Sequence, residues 1–539
     1  MSRKKSKKAP QDAPAECLHG SGLTVSPWMR GGIFERRALT ETIDADVCVI
    51  GGGVAGLTAA YRLACAGKDV VVLEDGDIAG GETSRSTAHL STALSKRYAR
   101  LEELYDEPTT RLVAESHAAA IDFMETTARE EAIDCDFMRL NGYLFWPQDG
   151  DLKEINDELA ACERAGLPVE KLESAPISFW NSGPCLRFAR QAQLDPQRYA
   201  SGLARAAARR GARIFTRSHA RLLSGAPLRV RSGAGAVIAK AVVIATNAPI
   251  DDMISISTRQ AAYRTYALAA ELPAGAFSEP LLLWDTVDPY HYVRVAPPQR
   301  GETSALLIVG GEDHKVGHAE DAAERWQRLE AWARARFPMM GAISHRWSGQ
   351  VQESVDGLAF IGRHPTEEQA VYVVTGDCGS GMTSGTIGGL LVCDEILGKS
   401  NHWESIYDPS RLPLSSAFEF VAGTLDAAAQ YLRYYAGSGD VASEDQVPPG
   451  CGAVLHRGLA PVAVYRAEDG TLVERSAVCP HLGGVVCWNQ AERTWDCPVH
   501  GSRFSPSGEV LSGPANDELD TPAPPLPRHP SGGAWAPPP

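Results

Sequence analysis

The stretch that decides the fold runs from Val47 to Glu74 and reads VCVIGGGVAGLTAAYRLACAGKDVVVLE. Two apolar runs and the helical pattern between them predict a strand, a glycine-rich turn, a helix and a second strand. Gly51 permits the tight turn, Gly53 lets a pyrophosphate approach the backbone, and Gly56 lets the helix pack closely on the strand. A glycine-rich loop without a ligand is the alternative, but the flanking strands favour a dinucleotide site.

Further nucleotide contacts are expected at both ends of this unit. Val54 and Ala55 begin the helix, and the N-terminus of a helix binds phosphate groups. Glu74 ends the second strand, where its carboxylate can accept hydrogen bonds from ribose hydroxyls.

The composition restricts the number of domains and the kinds of partner. A chain of 539 residues exceeds what one core usually serves, so we expect two or more domains. A net charge of -15 argues against nucleic acid as a partner. No apolar run approaches the roughly 20 residues that cross a bilayer, so we expect no membrane partner. The scattered cysteines do not form a disulfide framework, which favours a reducing cytoplasm.

The remaining pattern predicts more helices and strands. Helices are expected at 111–131, 195–211 and 321–337, with a further helix that opens within 376–383 and ends at 397. Strands are expected at 138–146, 241–247, 282–285, 290–295 and 371–375. Gly233-Ala234-Gly235 joins two β-patterned runs, so it predicts a hairpin turn and not a second dinucleotide site.

A hydroxyl-rich loop, Gly80 to Leu90, follows the first unit. Its side chains either reach a bound ring or pyrophosphate, or only cap a helix. The candidate ligand contacts in this loop are Thr83, Ser84, Thr87, Ala88 and His89.

From about Asp44 to Gly398 the chain resembles the FAD-dependent oxidoreductases of the glycine oxidase and D-amino-acid oxidase (DAO) type. The matching motifs are Gly51-x-Gly53-x-x-Gly56, Ala245-Thr246-Asn247, Asp356-Gly357 with Ile361-Gly362, and Gly379-x-Gly381-Met382-Thr383. The resemblance implies FAD rather than NAD, a Rossmann-like α/β FAD-binding domain and an interleaved α+β substrate domain. The resemblance also implies contacts with FAD at five more residues: Thr246, Asn247, Gly381, Met382 and Thr383.

A second motif, Cys479-Pro480-His481, is followed by Cys497-Pro498-Val499-His500. Two Cys-and-His pairs indicate a metal, and a zinc site is the alternative. A zinc finger would instead pair its cysteines in one arm and its histidines on a helix. The pattern resembles a Rieske [2Fe-2S] domain, a small all-β fold in which the cysteines hold one iron and the histidines the other.

The predicted domain boundaries follow from these resemblances. The chain is predicted to begin with a disordered basic tail and lead-in (1–40). The oxidoreductase part then contains FAD-binding segments (about 41–120, 186–260 and 345–400) and substrate-domain segments (about 121–185 and 261–344). A linker with a helix (401–438), the Rieske domain (439–525) and a Pro-rich tail (526–539) follow.

The Rieske motif departs from that of the respiratory proteins. Gly484 and Val499 stand where those proteins carry an extra cysteine pair, and Phe504 stands where they carry a hydrogen-bonding tyrosine. Ser502 remains able to donate to the cluster. Because fewer donors stabilise the reduced cluster less, we expect a potential in the lower part of the range of roughly -150 to +300 mV.

Candidate catalytic residues lie in the aromatic β-rich region. Arg294 either anchors a substrate carboxylate bidentately or forms a structural ion pair. Alternate strand residues share a face, so Tyr290 and Tyr292 are expected on the side of Arg294 and His291 on the other. His89 either forms a covalent bond to FAD or, as we expect, supports the residues that contact FAD directly.

The two cofactors together predict an oxidoreductase. FAD would oxidise an amine or amino acid at a carbon next to nitrogen, and the cluster would exchange single electrons with a protein such as a ferredoxin. The alternatives are a flavin hydroxylase or reductase that receives electrons through the Rieske domain, and a non-enzymatic redox carrier or sensor.

Overall fold

The computed structural model describes residues 20–29, 34, 36–147, 150–223, 225–250, 254–273, 275–277, 279–298, 304–319, 321–411 and 439–522. The basic run, the predicted helix in the linker and the Pro-rich tail lie outside these residues. No helix among the described residues is long and apolar enough to cross a membrane.

An eight-stranded sheet is built around the glycine-rich unit. Its strands are β1 (Thr42–Ile50), β2 (Val70–Leu73), β7 (Arg213–Phe215), β8 (Arg221–Leu223), β9 (Leu228–Ser232), β10 (Gly235–Asn247), β16 (Phe360–Arg363) and β17 (Val371–Thr375). The order β16-β17-β10-β1-β2-β7 is parallel except for β16. Both faces of β1 and β2 are buried, as their continuous apolar runs require. The antiparallel β9–β10 pair confirms the predicted hairpin.

A nine-stranded sheet forms the second layer. Its strands are β3 (His89–Leu90), β4 (Met138–Phe145), β5 (Val169–Leu172), β6 (Cys185–Gln193), β11 (Gln260–Leu272), β12 (Leu282–Asp285), β13 (His291–Ala296), β14 (Ala305–Lys315) and β15 (Ile343–Ser354). The order is β15-β11-β14-β13-β12-β4-β6-β3, with β5 on β6, and only the β12–β4 pair is parallel.

The helices cover both sheets. They are α1 (Val54–Cys65), α2 (Glu82–Arg85), α3 (Tyr98–Leu104), α4 (Glu107–Glu130), α5 (Leu152–Arg164), α6 (Pro196–Arg209), α7 (Ile254–Ser257), α8 (Ala322–Arg336), α9 (Gly381–Ile396) and α10 (Glu404–Tyr407). Side chains of α1, α4, α6 and α9 share one core with β1 and β2.

Two strands correct the predicted domain segments. Both β6 and β15 were expected in the FAD-binding segments, but they pair with β4 and β11 in the nine-stranded sheet. Their sequences mix polar and apolar residues, and such strands do not suit the buried interior of a parallel sheet.

The C-terminal domain, residues 439–522, is all-β apart from a 3-10 turn at Glu444–Gln446. One antiparallel sheet contains β18 (Cys451–Arg457), β19 (Ala460–Arg466) and β20 (Leu472–Ser476). The other contains β21 (Cys487–Asn489), β22 (Thr494–Asp496), β23 (Arg503–Phe504) and β24 (Val510–Ser512).

The lead-in segment, residues 20–29, belongs to the range 1–40 that was predicted to contain a disordered basic tail and a lead-in. Ser26 and Trp28 are buried, and the Trp28 indole donates to the carbonyl of Ser86 at 2.9 Å. The segment is therefore part of the packed structure, because its hydroxyl and indole groups find partners on the loop after β2.

A buried ion network joins this segment to the C-terminal domain. Glu492 accepts hydrogen bonds from Arg85 Nη1 (3.2 Å) and from the Thr24 backbone and hydroxyl groups. Asp496 accepts from Arg264 (2.8 Å) and, through both oxygens, from Arg503 (2.9 and 3.1 Å). Burial alone raises the pKa of Glu492, but Arg85 and Arg264 hold that pKa below its usual value.

We expect Glu492→Gln to destabilise the chain by about 3–5 kcal/mol, because it leaves Arg85 buried without its counter-charge. The matched control is Glu468→Gln in the exposed pair with Arg493, where the expected cost is about 0–1 kcal/mol. Urea unfolding at pH 7 measures both. The Glu492 contribution is present above a pH of about 4.3 and lost as pH falls through the depressed folded pKa. Equal losses in the two variants at pH 7 would contradict the role of this network.

Candidate functional site

A cavity of about 800 Å³ lies between the two sheets and the C-terminal domain. The glycine-rich turn forms one part of its wall, with Gly51, Gly53, Val54 and Ala55 lining it. A Cβ at Gly51 would stand 2.4 Å from the carbonyl oxygen of Ala245, and Gly51 has a φ of +108°. Only glycine fits this turn.

Gly56 does not line the cavity, and its role is packing. A Cβ there would lie 2.1 Å from the Gly51 carbonyl oxygen. The close approach of α1 to β1, which the sequence predicted for Gly56, is therefore present in the structure.

Glu74 lines the cavity at the end of β2. Its Oε2 accepts from the Gly52 backbone at 2.6 Å and its Oε1 from the Gly76 backbone at 2.9 Å. Burial and the neighbouring Asp75 raise its pKa well above the usual value. These bonds fix the carboxyl group next to the turn, where the sequence predicts the ribose.

Only some of the predicted residues of the hydroxyl-rich loop line the cavity. Thr83, Thr87 and His89 line the cavity, and the Thr83 hydroxyl accepts from the first backbone N–H of α1, at Val54. Ser84 and Ala88 do not line it. The Ser84 hydroxyl donates to the Gly81 carbonyl, and Ala88 is fully buried, so direct FAD contacts through these two side chains are not supported.

His89 is held by the protein through both ring nitrogens. Nδ1 lies 3.1 Å from the Thr87 hydroxyl, and Nε2 lies 3.1 Å from the Val293 carbonyl. Burial, with Arg294 nearby, lowers its pKa to about 3, so the ring is neutral. This arrangement favours an orienting role over a covalent bond to FAD.

The remaining predicted FAD contacts meet at the same cavity. Thr246 and Asn247 end β10, while Gly381, Met382 and Thr383 begin α9, and all five line the cavity. The glycine turn, the N-termini of two helices and the carboxyl group of Glu74 beside the turn together fit a dinucleotide cofactor.

The structure does not support the prediction that Arg294 anchors a substrate carboxylate. It is 1% exposed, and its Nη1 donates to the carbonyls of Thr87 (2.5 Å), Ala88 (3.1 Å) and Leu194 (3.0 Å). It does not line the cavity, because the loop at Thr87 and Ala88 lies over it. Arg294 therefore stabilises this loop and is not a candidate catalytic residue.

The strand alternation predicted around Arg294 is present. Tyr290 and Tyr292 line the cavity, and so does Tyr263. His291 points away, where its Nδ1 lies 2.8 Å from Asp285 and its ring stacks on Trp332. Tyr290 and Tyr292 stay predicted substrate-side residues.

The second site is formed by two similar loops, the cluster loops 479–484 and 497–502. The Cys479 N–H donates to the Gly484 carbonyl, and the Gly483 N–H to the Cys479 carbonyl. The Cys497 N–H likewise donates to Ser502, and the Gly501 N–H to Cys497. The sequence predicted the four ligands but not this repeated hydrogen-bonding pattern.

The four candidate ligands meet as two pairs. The thiols of Cys479 and Cys497 are within hydrogen-bonding range, and that bond lowers the pKa of Cys479 while it raises the pKa of Cys497. The rings of His481 and His500 lie with centroids 5.0 Å apart. Burial lowers the pKa of His500 to about 4, so its imidazole is neutral, as a metal ligand must be.

This donor set fits a cluster of two irons. A pair of thiols beside a pair of imidazoles suits one iron each. Ser502 also hydrogen-bonds to Cys479, so the predicted hydroxyl donor is in place.

The sequence reasoning missed several residues of the cavity wall. Asp313, Glu353, Thr265 and Gln350 line it from β14, β15 and β11. Residues 511–513 of the C-terminal domain line it too. Period-2 alternation would have placed Thr265 beside Tyr263, but the long-range pairings that bring the others together leave no local signal.

Comparisons with known proteins agree with both sites. The profile of the family "FAD dependent oxidoreductase" (DAO) matches residues 46–395, and that of the "Rieske [2Fe-2S] domain" matches residues 438–523. The chain belongs to the DAO family of FAD-dependent oxidoreductases. This DAO protein carries a Rieske domain, and its cofactors are FAD and a [2Fe-2S] cluster.

Three similar proteins cover different parts of this DAO–Rieske chain. The Rieske 2Fe-2S iron-sulfur protein YhfW of Bacillus subtilis (strain 168) is 30% identical over 482 residues, covering 89% of this chain and 93% of YhfW. Gamma-glutamylputrescine oxidoreductase of Escherichia coli (strain K12) is 26% identical over 392 residues, covering 70% and 89%. The glycine oxidase structure from Geobacillus kaustophilus has a TM-score of 0.58 at 19% identity, covering 68% and 99%, and supports the fold.

We expect Cys479→Ser to reduce bound iron from about two atoms per chain to background, because one iron loses a thiolate. Cys487→Ser is the matched control: Cys487 is also buried, but its thiol donates to the backbone carbonyl of Asp496. Iron and acid-labile sulfide analysis measures both variants. Full iron content in Cys479→Ser, or an equal loss in Cys487→Ser, would contradict the ligand assignment.

Proposed function

We propose that this protein oxidises an amine or amino acid at a C–N bond and passes the electrons singly through its Rieske cluster to an external one-electron acceptor. When bound, FAD supplies hydride acceptance and the [2Fe-2S] cluster supplies one-electron transfer. The chain itself must hold both cofactors close together, orient the substrate and exclude water.

The proposal rests mainly on β11 and β15, because one face of these strands lines the cavity and the other face contacts the Rieske domain. On β11, Tyr263 and Thr265 line the FAD cavity, whereas Arg264 between them pairs with Asp496 of the Rieske domain. Residues of one strand alternate between the two faces of a sheet. Around Arg264, a single sheet layer therefore stands between the cavity and the Rieske domain.

A cluster loop contacts this layer directly. The Gln350 side chain donates to the Gly501 carbonyl at 2.9 Å, and Gln350 also lines the cavity. A Cβ at Gly501 would stand 2.4 Å from the Cβ of Ala262. Because packed sheet layers are about 10 Å apart, this contact supports direct electron exchange between the two cofactors.

The cavity also supports a substrate-binding role. Its walls include Tyr263, Tyr290, Tyr292 and Trp284, so it offers an aromatic surface beside the predicted FAD contacts. A redox carrier without a substrate needs the FAD contacts but not this aromatic surface beside them. The amine or amino-acid class is supported by the named relatives, which include gamma-glutamylputrescine oxidoreductase and glycine oxidase.

We also propose a reducing, cytoplasmic location and a soluble protein such as a ferredoxin as the electron partner. The cysteines within the described residues are free thiols, which is usual in a reducing compartment. Pro480, next to the ligand His481, is exposed and offers a place of approach.

Anaerobic mixing with a panel of amines and amino acids tests the proposal. We expect flavin bleaching first and the signal of the reduced Rieske cluster second. Bleaching that occurs only with a reduced ferredoxin would contradict it and support a reductase or hydroxylase. Bleaching by neither would support a redox sensor or carrier.

We further expect Gln350→Leu to slow cluster reduction several-fold while substrate still bleaches the flavin, because the contact with Gly501 is lost. Gln352→Leu, two residues along the same face of β15, is the control. Stopped-flow absorbance with freeze-quench EPR separates the two events. Unchanged cluster reduction in Gln350→Leu would show that this contact is not on the route.

A further inference from the structure

The cavity wall formed by β11, β13, β14 and β15 is acidic. Asp313 and Glu353 line it together with Tyr290, Tyr292 and Thr265. The hydroxyls of Thr265 and Tyr290 lie beside the Asp313 carboxylate and favour its charged form. The Thr265 hydroxyl also lies 2.9 Å from that of Tyr292.

One oxygen of Asp313 lacks a donor. Its Oδ1 is buried and has no hydrogen-bond partner among the described residues. Burial raises the pKa of Asp313 to about 7, and Glu353 adds to this rise. A buried carboxylate that is short of donors is costly, so a cationic group beside it in the cavity gains affinity.

The arginine that acts on Asp313 is already engaged, whereas Lys96 lines the cavity near Glu353. Arg325, the cation that acts on Asp313, donates to Asp321 at 2.7 Å and to the Glu312 carbonyl at 2.7 Å. Lys96 lies near Glu353 and lowers the pKa of that carboxyl group, although burial keeps the pKa raised overall.

Arg97, at the rim of the cavity, is engaged as well. Its Nη2 donates to the Thr286 carbonyl at 3.3 Å, and its guanidinium lies over the ring of Trp146. Arg294 is withdrawn behind the loop at Thr87. A substrate carboxylate therefore meets Asp313 and Glu353 without a dedicated arginine partner.

We propose that the substrate is an amine without an α-carboxylate, and that its protonated nitrogen lies against the Asp313 carboxylate. This inference rests on the proposed function and narrows its substrate class. Tyr290 and Thr265 hold the carboxylate in place, and the aromatic side chains of Tyr292 and Trp284 face the carbon part of the amine. An α-carboxylate on the same carbon is repelled by Asp313 and Glu353.

Three matched pairs of compounds test this with the holoprotein. They are propylamine with 2-aminobutyrate, benzylamine with phenylglycine, and putrescine with ornithine, where the second member adds only an α-carboxylate. Affinity is read from the change in flavin absorbance, and turnover from anaerobic bleaching. We expect an amine to bind at least about tenfold more tightly than its partner in at least one pair.

Asp313→Asn should remove this preference, and Asp469→Asn, which removes the same charge at an exposed turn outside the cavity, should retain it. FAD content and the unfolding midpoint of each variant check that it folds. Glu353→Gln provides a second test, with an expected weakening of amine binding.

The outcomes separate this inference from the proposed function. Tighter binding or faster bleaching by the amino acids overturns the inference and leaves the proposed function standing. If neither the amines nor the amino acids bleach the flavin, the proposed function is refuted. The binding affinities alone then decide the inference, which is overturned if the amines bind no more tightly than the amino acids. Retention of the preference in Asp313→Asn also overturns the assignment of the anchor.

Discussion

The structure depends on the alternation of side chains along two neighbouring strands. Residues of β11 and β15 face the FAD cavity and the Rieske domain in turn, so one sheet layer serves as a wall of both sites. A shift of one residue in the pairing of these strands would exchange the two faces. Eleven paired positions, from Gln260 with Ser354 to Ala270 with Ile343, hold that arrangement.

Buried charges hold the Rieske domain against this wall. Asp496 lies between Arg264 of β11 and Arg503 of its own domain, while Glu492 is paired with Arg85. Buried ion pairs contribute little net stability, because desolvation offsets much of the attraction, but a displaced partner leaves an uncompensated charge. The network therefore favours one docked position. The lead-in segment reinforces it, since Thr24 bonds to Glu492 and Ser21 to Arg503.

The features that could be predicted from the sequence are those that short motifs determine. The turn at Gly51 and the paired Cys and His residues each lie within a few positions of one another, and their spacing carries the chemistry. Arg294 was misjudged because its partners, Thr87 and Leu194, are distant in the chain. The packing of the lead-in segment and the positions of Asp313 and Gln350 likewise depend on contacts between remote segments. Strand alternation did predict that Tyr290 and Tyr292 share a face opposite to His291.

FAD and the cluster are proposed to exchange electrons within one chain, across this sheet layer. Rapid anaerobic photoreduction of the flavin by a flash, with the cluster followed by its absorbance over a wide range of protein concentrations, tests this exchange most directly. Transfer within the chain predicts cluster reduction at a rate independent of protein concentration. A rate that rises in proportion to protein concentration, or a cluster that stays oxidised, would contradict it.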